Sequence, residues 1–125
     1  MALILPYAKA LRDQRHDVRV CIDAKAAEKL GRAGLDHVPG PGITMDELVE
    51  AFAGAEGLSE DERDEITIPW VFVELAARKA LPTLRDTIRA WQPDLIIREA
   101  CEFAALVASE EAPCAACTDR DPALR

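Results

Sequence analysis

A charged, amphipathic stretch at the start of the chain passes directly into a short apolar stretch. Residues 2–15 place Leu3, Tyr7 and Leu11 on one face at helical spacing, which predicts a helix. Residues 17–22 then predict a short buried strand. A helix that leads so tightly into a strand is half of a βαβ unit, and no strand precedes it here. We therefore expect a parallel α/β fold whose first strand is absent from this sequence.

The same alternation continues in the next segment. Asp23 is expected to cap a helix over Ala24–Arg32, and Gly34 is expected to end it. A short strand is predicted at Leu35–Val38, and the Pro-Gly-Pro-Gly sequence at 39–42 should break regular structure.

The middle of the chain carries two capping boxes, Thr44 to Glu47 and Ser59 to Glu62. The first predicts a short helix at about Asp46–Ala53. The acidic, glycine-containing residues 54–65 are expected to be mobile.

The last part of the chain again alternates helix and strand. A long helix is predicted over Pro69–Trp91, where Pro82 should kink or split it. Then follow a strand at Asp94–Arg98, a helix at Glu99–Glu111 and a strand at Cys114–Thr118. This order predicts an α/β fold, a parallel sheet with helices on both faces.

Composition excludes several functional classes. The net charge of −8 argues against nucleic-acid partners, which require clustered Lys and Arg. No apolar run reaches the ~20 residues of a membrane span, and Met1–Pro6 lacks the basic region of a signal peptide. Four cysteines without such a signal indicate reduced thiols and a cytoplasmic protein.

Cys114 and Cys117 have CxxC spacing. A zinc site needs about two more ligands, and the other cysteines and the two histidines offer no paired spacing, so no metal site is predicted. A redox pair needs a helix N-terminus, whereas this motif lies in a predicted strand. A structural role is favoured, and a thiol-based module stays a weaker alternative.

Two carboxylates, Glu99 and Glu102, follow the predicted strand Asp94–Arg98. Ligands of open parallel sheets bind outside the carboxyl ends of the strands, and a carboxylate there can orient a histidine base. The other interpretation is that both residues occupy the first turn of a helix, where the helix dipole favours acidic side chains. The residues alone favour this second interpretation.

Three aromatic residues lie in or near the long predicted helix. Trp70 and Phe72 follow the acidic segment and could line an apolar ligand pocket. Core packing is the competing interpretation, and it is the better one for Trp91.

Four segments of the chain carry a resemblance to a known family. Together they resemble the GT-B glycosyltransferases related to the UDP-glycosyltransferases, especially the bacterial branch that decorates natural products. The segments are Leu5–Val20, Ala33–Pro39, Gln92–Glu99 and Phe103–Pro113.

The resemblance implies two Rossmann-like domains, of which the N-terminal one binds the acceptor and the C-terminal one the nucleotide-sugar. Residues 1–125 would be part of the first domain, so no cofactor is expected on them. The family uses a histidine base with an acidic partner after the fourth strand, inverts the sugar and needs no metal. Glu99 falls at the position of that acid. Trp70, Phe72, Glu102 and Phe103 would contact the small-molecule acceptor, and the stretch from Gly40 to Trp70 would set specificity.

The chain also departs from the family pattern. The catalytic histidine aligns just before Met1, and His16 matches a second, structural histidine. Arg15 stands where the family has glycine, so the turn should be altered. The absent first strand would be central, so residues 17–22 should either close against residues 94–98 or leave the chain marginally stable.

The sequence therefore predicts the acceptor-binding part of an inverting glycosyltransferase, inactive as this fragment. The alternative is a non-catalytic Rossmann-like or flavodoxin-like binding module.

Overall fold

A computed structural model describes residues 4–53, 55–112 and 115–118. The helices and strands follow one another in the predicted alternating order. They are α1 (Leu5–Asp13), β1 (Arg19–Asp23), α2 (Ala24–Arg32), β2 (Asp36–Gly40), α3 (Met45–Ala51), α4 (Glu60–Ile66), a π-helix (Thr67–Ala77), α5 (Arg78–Trp91), β3 (Leu95–Arg98), α6 (Phe103–Glu110) and β4 (Ala115–Thr118).

The strands form two parallel pairs. β1 pairs with β2, with Cys21 opposite Val38, and β3 pairs with β4, with Ile97 opposite Cys117. The parallel α/β class is confirmed. Of the two alternatives expected for residues 17–22, closure against residues 94–98 is not found, because the described strands form two separate sheets. The other alternative, marginal stability, stays a prediction.

Side chains connect the start of β1 to the end of α5. The Trp91 indole Nε1 donates a hydrogen bond to Asp17 Oδ2 at 3.0 Å. The Arg19 guanidinium lies 4.8 Å from the centre of the Trp91 ring, in cation–π geometry. Trp91 therefore joins the two halves of the chain through side-chain contacts, where the sequence predicted a shared backbone ladder.

Local capping determines α2 as predicted. Asp23 Oδ1 accepts a hydrogen bond from the Lys25 backbone N–H at 2.7 Å. At the other end Gly34 has φ +67°, and its N–H donates to the Gly31 carbonyl at 3.0 Å. The Leu35 N–H donates to the Leu30 carbonyl at 3.1 Å, which completes a Schellman motif.

The end of α1 has the same geometry without a glycine. Arg15 has φ +68°, its N–H donates to the Arg12 carbonyl at 2.8 Å, and the His16 N–H donates to the Leu11 carbonyl at 3.1 Å. Arg15 adopts the left-handed conformation that glycine favours. That this turn differs from the one in the family stays a prediction. His16 is exposed and serves the turn through its backbone.

One core cluster lies between α1, α2 and the first strand pair. Leu30 is fully buried at 0% exposure, and Ala8 and Leu35 are buried beside it. Val20 of β1, and Val18 just before this strand, pack against this cluster. The apolar face of α2 is thus covered on one side by α1 and on the other by the sheet.

The strand bounds differ from the prediction in one informative way. β2 continues through Pro39 to Gly40, into the Pro-Gly sequence that was expected to break the structure. In the described residues β2 pairs on one side only. A proline without an N–H is tolerated on such an edge strand.

Helical structure is continuous from Glu60 to Trp91, so it begins earlier than predicted. The Ser59 capping box starts α4 inside the acidic segment that was expected to be mobile. Pro82 lies inside α5 without ending it. The irregularity lies in the π-helix Thr67–Ala77, which contains Pro69. Because Pro69 has no N–H to donate, it cannot support regular α-helical bonding there.

Candidate functional site

Glu99 and Glu102 lie in the connection between β3 and α6. The helix predicted from Glu99 begins at Phe103, so Glu99 does not occupy a first helical turn and the dipole interpretation is wrong for it. The Arg98 guanidinium donates to the carbonyls of Glu99 (3.3 Å) and Ala100 (3.0 Å). These bonds, with the Glu102 N–H to Glu99 carbonyl bond at 3.0 Å, hold the connection in a turn.

Glu102 in this turn interacts electrostatically with Cys21 in β1. Desolvation raises the pKa of Glu102, the Glu99 carboxylate raises it further, and Arg98 opposes the shift. Desolvation also raises the pKa of the Cys21 thiol, with a smaller contribution from Glu102. Glu102 therefore lies within electrostatic reach of both Glu99 and Cys21.

The five predicted site residues do not all meet at one place. Phe103 begins α6 beside the two carboxylates. Trp70 lies on the π-helix, is 56% exposed and lines an open groove against α3. Phe72 is half-buried and is not among the residues that line this groove. The structure thus gives two regions, the turn after β3 and the groove at Trp70.

The groove lies mainly between α3 and the π-helix and has a volume of about 630 Å³. Alanine and larger apolar side chains form much of its wall, and charged side chains complete it. The lining residues are Glu47, Glu50, Ala51, Ala53, Ala55, Ile66, Trp70, Glu74, Leu75 and Arg78.

Lys79 of α5 binds Glu47, one of the residues that line the groove. Its ammonium donates to Glu47 Oε1 (2.8 Å), Glu47 Oε2 (2.9 Å) and the Gly42 carbonyl (2.8 Å). Glu47 also accepts from the backbone N–H of Thr44 at 2.8 Å and closes the predicted capping box. These bonds, above all the one from Lys79, lower the pKa of Glu47 to about 2.

We expect Glu47 to contribute an acid-dependent part of the stability. Because its pKa falls from 4.5 to about 2 on folding, the contribution is complete above pH 4.5 and is lost as the pH falls through 2. The Glu47→Gln variant should therefore be less stable than the wild type at pH 7, and the difference should shrink towards pH 2. Urea unfolding at several pH values measures this. Glu110→Gln, on an exposed position of α6, is the control, and a pH-independent difference for Glu47→Gln would contradict the assignment.

Sequence reasoning missed most of the groove. Glu47 was noticed only as a capping residue, and Glu50, Glu74 and Arg78 were not noticed. The i→i+5 bonding of a π-helix brings residues four and five apart onto one face. Trp70 and Glu74 are four residues apart, a spacing that an α-helix also places on one face. Leu75, five residues after Trp70, lines the same groove because of the π-helix.

Metal and thiol sites find no support in the part of the chain that the structure describes. No group of three His, Cys, Asp or Glu residues there is arranged to hold a metal ion. Cys114 lies outside the described residues, so the CxxC prediction stays a prediction. No helix in the described ranges is long and apolar enough to cross a membrane.

Comparison with known proteins gives consistent relatives. No family model matches the chain. The chain is 32% identical over 127 residues to the 3-alpha-mycarosylerythronolide B desosaminyl transferase of Saccharopolyspora erythraea, an alignment that covers 85% of this chain and 30% of that protein.

Solved structures of glycosyltransferases share the fold. SsfS6 of Streptomyces sp. SF2575 aligns with a TM-score of 0.71 at 18% identity, over 92% of this chain and 34% of that one. SnogD of Streptomyces nogalater aligns with a TM-score of 0.62 at 26% identity, over 97% and 33%. The chain spans about a third of the length of these relatives.

The parallel strand pairs, their connecting helices and these matches define a Rossmann-like domain of the GT-B type. Over about a third of their length, glycosyltransferases of natural-product biosynthesis are similar to this chain in sequence and in fold.

Proposed function

We propose that residues 1–125 form the acceptor-binding part of an inverting glycosyltransferase. The complete enzyme would move a sugar from a nucleotide-sugar to a hydroxyl of a small molecule. The observation that carries this proposal is the 32% identity to a desosaminyl transferase across 85% of this chain. The histidine base and the nucleotide-sugar domain would be supplied from outside residues 1–125.

Glu99 would be the acidic partner of the base. A carboxylate after β3 can hold an imidazole in one orientation and stabilise the imidazolium that forms when the acceptor hydroxyl loses its proton. The freed oxygen would then attack the sugar carbon and displace the nucleotide. The position of Glu99 in a turn at the carboxyl end of a parallel strand supports this role.

The acceptor would contact aromatic and polar side chains from both regions, the groove at Trp70 and the turn after β3. Trp70 and Phe72 on the π-helix would supply apolar contact area, and the large exposed fraction of Trp70 supports its part in this. Glu102 and Phe103 would contact the acceptor beside Glu99. The raised pKa of Glu102 would allow it to carry a proton, and so to donate a hydrogen bond, at higher pH than an ordinary glutamate.

The proposal is tested by measuring whether the chain binds the acceptor or the nucleotide-sugar. We expect a neutral macrolide aglycone and an aromatic polyketide aglycone to shift backbone amide resonances of the chain in two-dimensional NMR titrations. A nucleotide-sugar should not shift them, and the isolated chain should not transfer sugar. Trp70→Leu should weaken aglycone binding, whereas Val107→Ala, an exposed apolar position on α6 outside the groove lining, should not.

Two results would count against this function. Nucleotide-sugar binding without aglycone binding would favour the non-catalytic binding module. Measurable sugar transfer by the purified 125-residue chain would show that the base is not required from outside.

A further inference from the structure

The charges around the groove between α3 and the π-helix do not balance. Glu47 is paired with Lys79, and Glu74 is paired with Arg78, whose Nε lies 2.9 Å from the Glu74 carboxylate. Glu50 lines the same groove, and its carboxylate makes no hydrogen bond or ion pair within the described residues. One carboxylate is therefore uncompensated, and the groove carries a net negative charge.

The rest of the groove suits an apolar ligand body. Its volume of about 630 Å³ lies within the usual range of small-molecule sites. Ile66, Leu75 and the alanines offer apolar wall, and Trp70 adds an exposed aromatic ring. An indole face attracts cations as well as apolar groups, so Trp70 and Glu50 favour the same kind of charge.

Exposed apolar side chains lie close to this groove in the chain. Met45 is 72% exposed and Val49 is 66% exposed, one turn apart on the same side of α3, and Val49 precedes Glu50. On the π-helix Ile68 is 50% exposed, two residues before Trp70. Exposed apolar residues grouped beside a concavity are typical of a binding surface. The groove is also held in shape, because Lys79 ties α3 and the loop before it to α5.

We propose that this groove binds an acceptor that joins an apolar body to a protonated amine. The proposal rests on the proposed function and adds the charge of the substrate to it. The amine lies at Glu50 and over Trp70, and the apolar body lies against Ile66 and Leu75. An anionic ligand is disfavoured, because Arg78, the one cation among the described groove-lining residues, is paired with Glu74.

Three naphthalene probes of nearly equal size test the sign of the charge. They are 2-(1-naphthyl)ethylamine, 2-(1-naphthyl)ethanol and 1-naphthylacetate, each titrated into the chain at pH 7 and followed by backbone amide shifts. We expect the amine to bind about fivefold more tightly than the alcohol, as a partly exposed charge contact allows, and the acetate to bind most weakly. The preference for the amine should fall as salt is raised.

Variants separate the charge from the apolar contact. Glu50→Gln should remove the preference for the amine, so that amine and alcohol bind this variant with about equal affinity. Trp70→Leu should weaken both probes. Glu110→Gln is the matched control on an exposed helix position outside the groove lining, and the amine preference should persist in it. Circular dichroism confirms that each variant is folded.

The outcomes distinguish this inference from the proposed function. Equal affinity for amine and alcohol in the wild type would overturn the inference, as would an amine preference that survives Glu50→Gln. If neutral aglycones still bind in that case, the proposed function stands. Failure of the aglycones together with an amine preference that depends on Glu50 would retain the groove as a cation site and reject its role as a glycosyltransferase acceptor site.

Discussion

Leu30→Ala is expected to lower the free energy of unfolding by about 2–5 kcal/mol, the range for large-to-small changes in a packed core. Leu30 is the one large side chain that is fully buried among the described residues. It stands at the centre of the cluster formed with Ala8 and Leu35, between α1, α2 and β1. Truncation of the Leu30 side chain leaves a cavity. To fill this cavity, α1, α2 and β1 would have to move closer together.

Urea unfolding followed by circular dichroism measures this loss. Leu95→Ala is the matched control, because Leu95 is 40% exposed in β3 and loses less contact on truncation. We expect the control to cost well under half as much as Leu30→Ala. Equal losses at the two positions would show that the cluster around Leu30 does not dominate the stability of the chain.

Arg15→Gly is expected to raise the free energy of unfolding by about 1 kcal/mol. Arg15 holds φ +68° at the end of α1, and a left-handed conformation costs an L-residue about 1–2 kcal/mol that glycine avoids. The greater freedom of glycine in the unfolded chain cancels part of the gain. The Schellman bonds are made by backbone atoms, so the substitution keeps them.

Gly34→Ala provides the reverse experiment at the equivalent position of α2. Gly34 has φ +67°, and an added Cβ would lie 3.0 Å from Arg12 Nη1, which donates to the Gly34 carbonyl. This variant should be destabilised, by about 1 kcal/mol or more. If Arg15→Gly destabilised the chain as well, the side chain of Arg15 would have to contribute more than its backbone strain removes.

Local chemistry explains why some elements could be predicted from the sequence. The bounds of α2 follow from Asp23 as N-cap and Gly34 as C′ residue, and both act within a few residues of the chain. The capping box at Thr44 is likewise found where it was expected, and the one at Ser59 is present at the start of α4. Such signals need no knowledge of distant residues.

The arrangement of the strands depended on distant residues and could not be predicted. Strands β1 and β3 lie in separate pairs, and Trp91 at the end of α5 contacts Arg19 at the start of β1 and Asp17 just before it. No local pattern reveals that a tryptophan at the end of one helix contacts a strand far away in the chain. The π-helix was missed for another reason, since its periodicity differs from the one that was searched for.

The candidate site also has a part that could be predicted from the sequence and a part that could not. Glu99 and Glu102 could be placed at the end of a strand from the alternation alone, and the structure puts them in the turn there. The groove at Trp70 requires the contact of α3 with the π-helix and the long reach of Lys79 to Glu47. A sequence identifies the side chains of such a groove only after its helices have been brought together.

The two separate strand pairs bear on how the chain is synthesised. Each pair, with its connecting segment, lies within a short stretch of sequence, residues 19–40 and 95–118. The first unit includes every contact between β1, α2 and β2, so it is complete in sequence before β3 has been translated. Because contacts between near neighbours form quickly, we expect α1 to β2, which together contain the core around Leu30, to fold on the emerging chain while its second half is still being made.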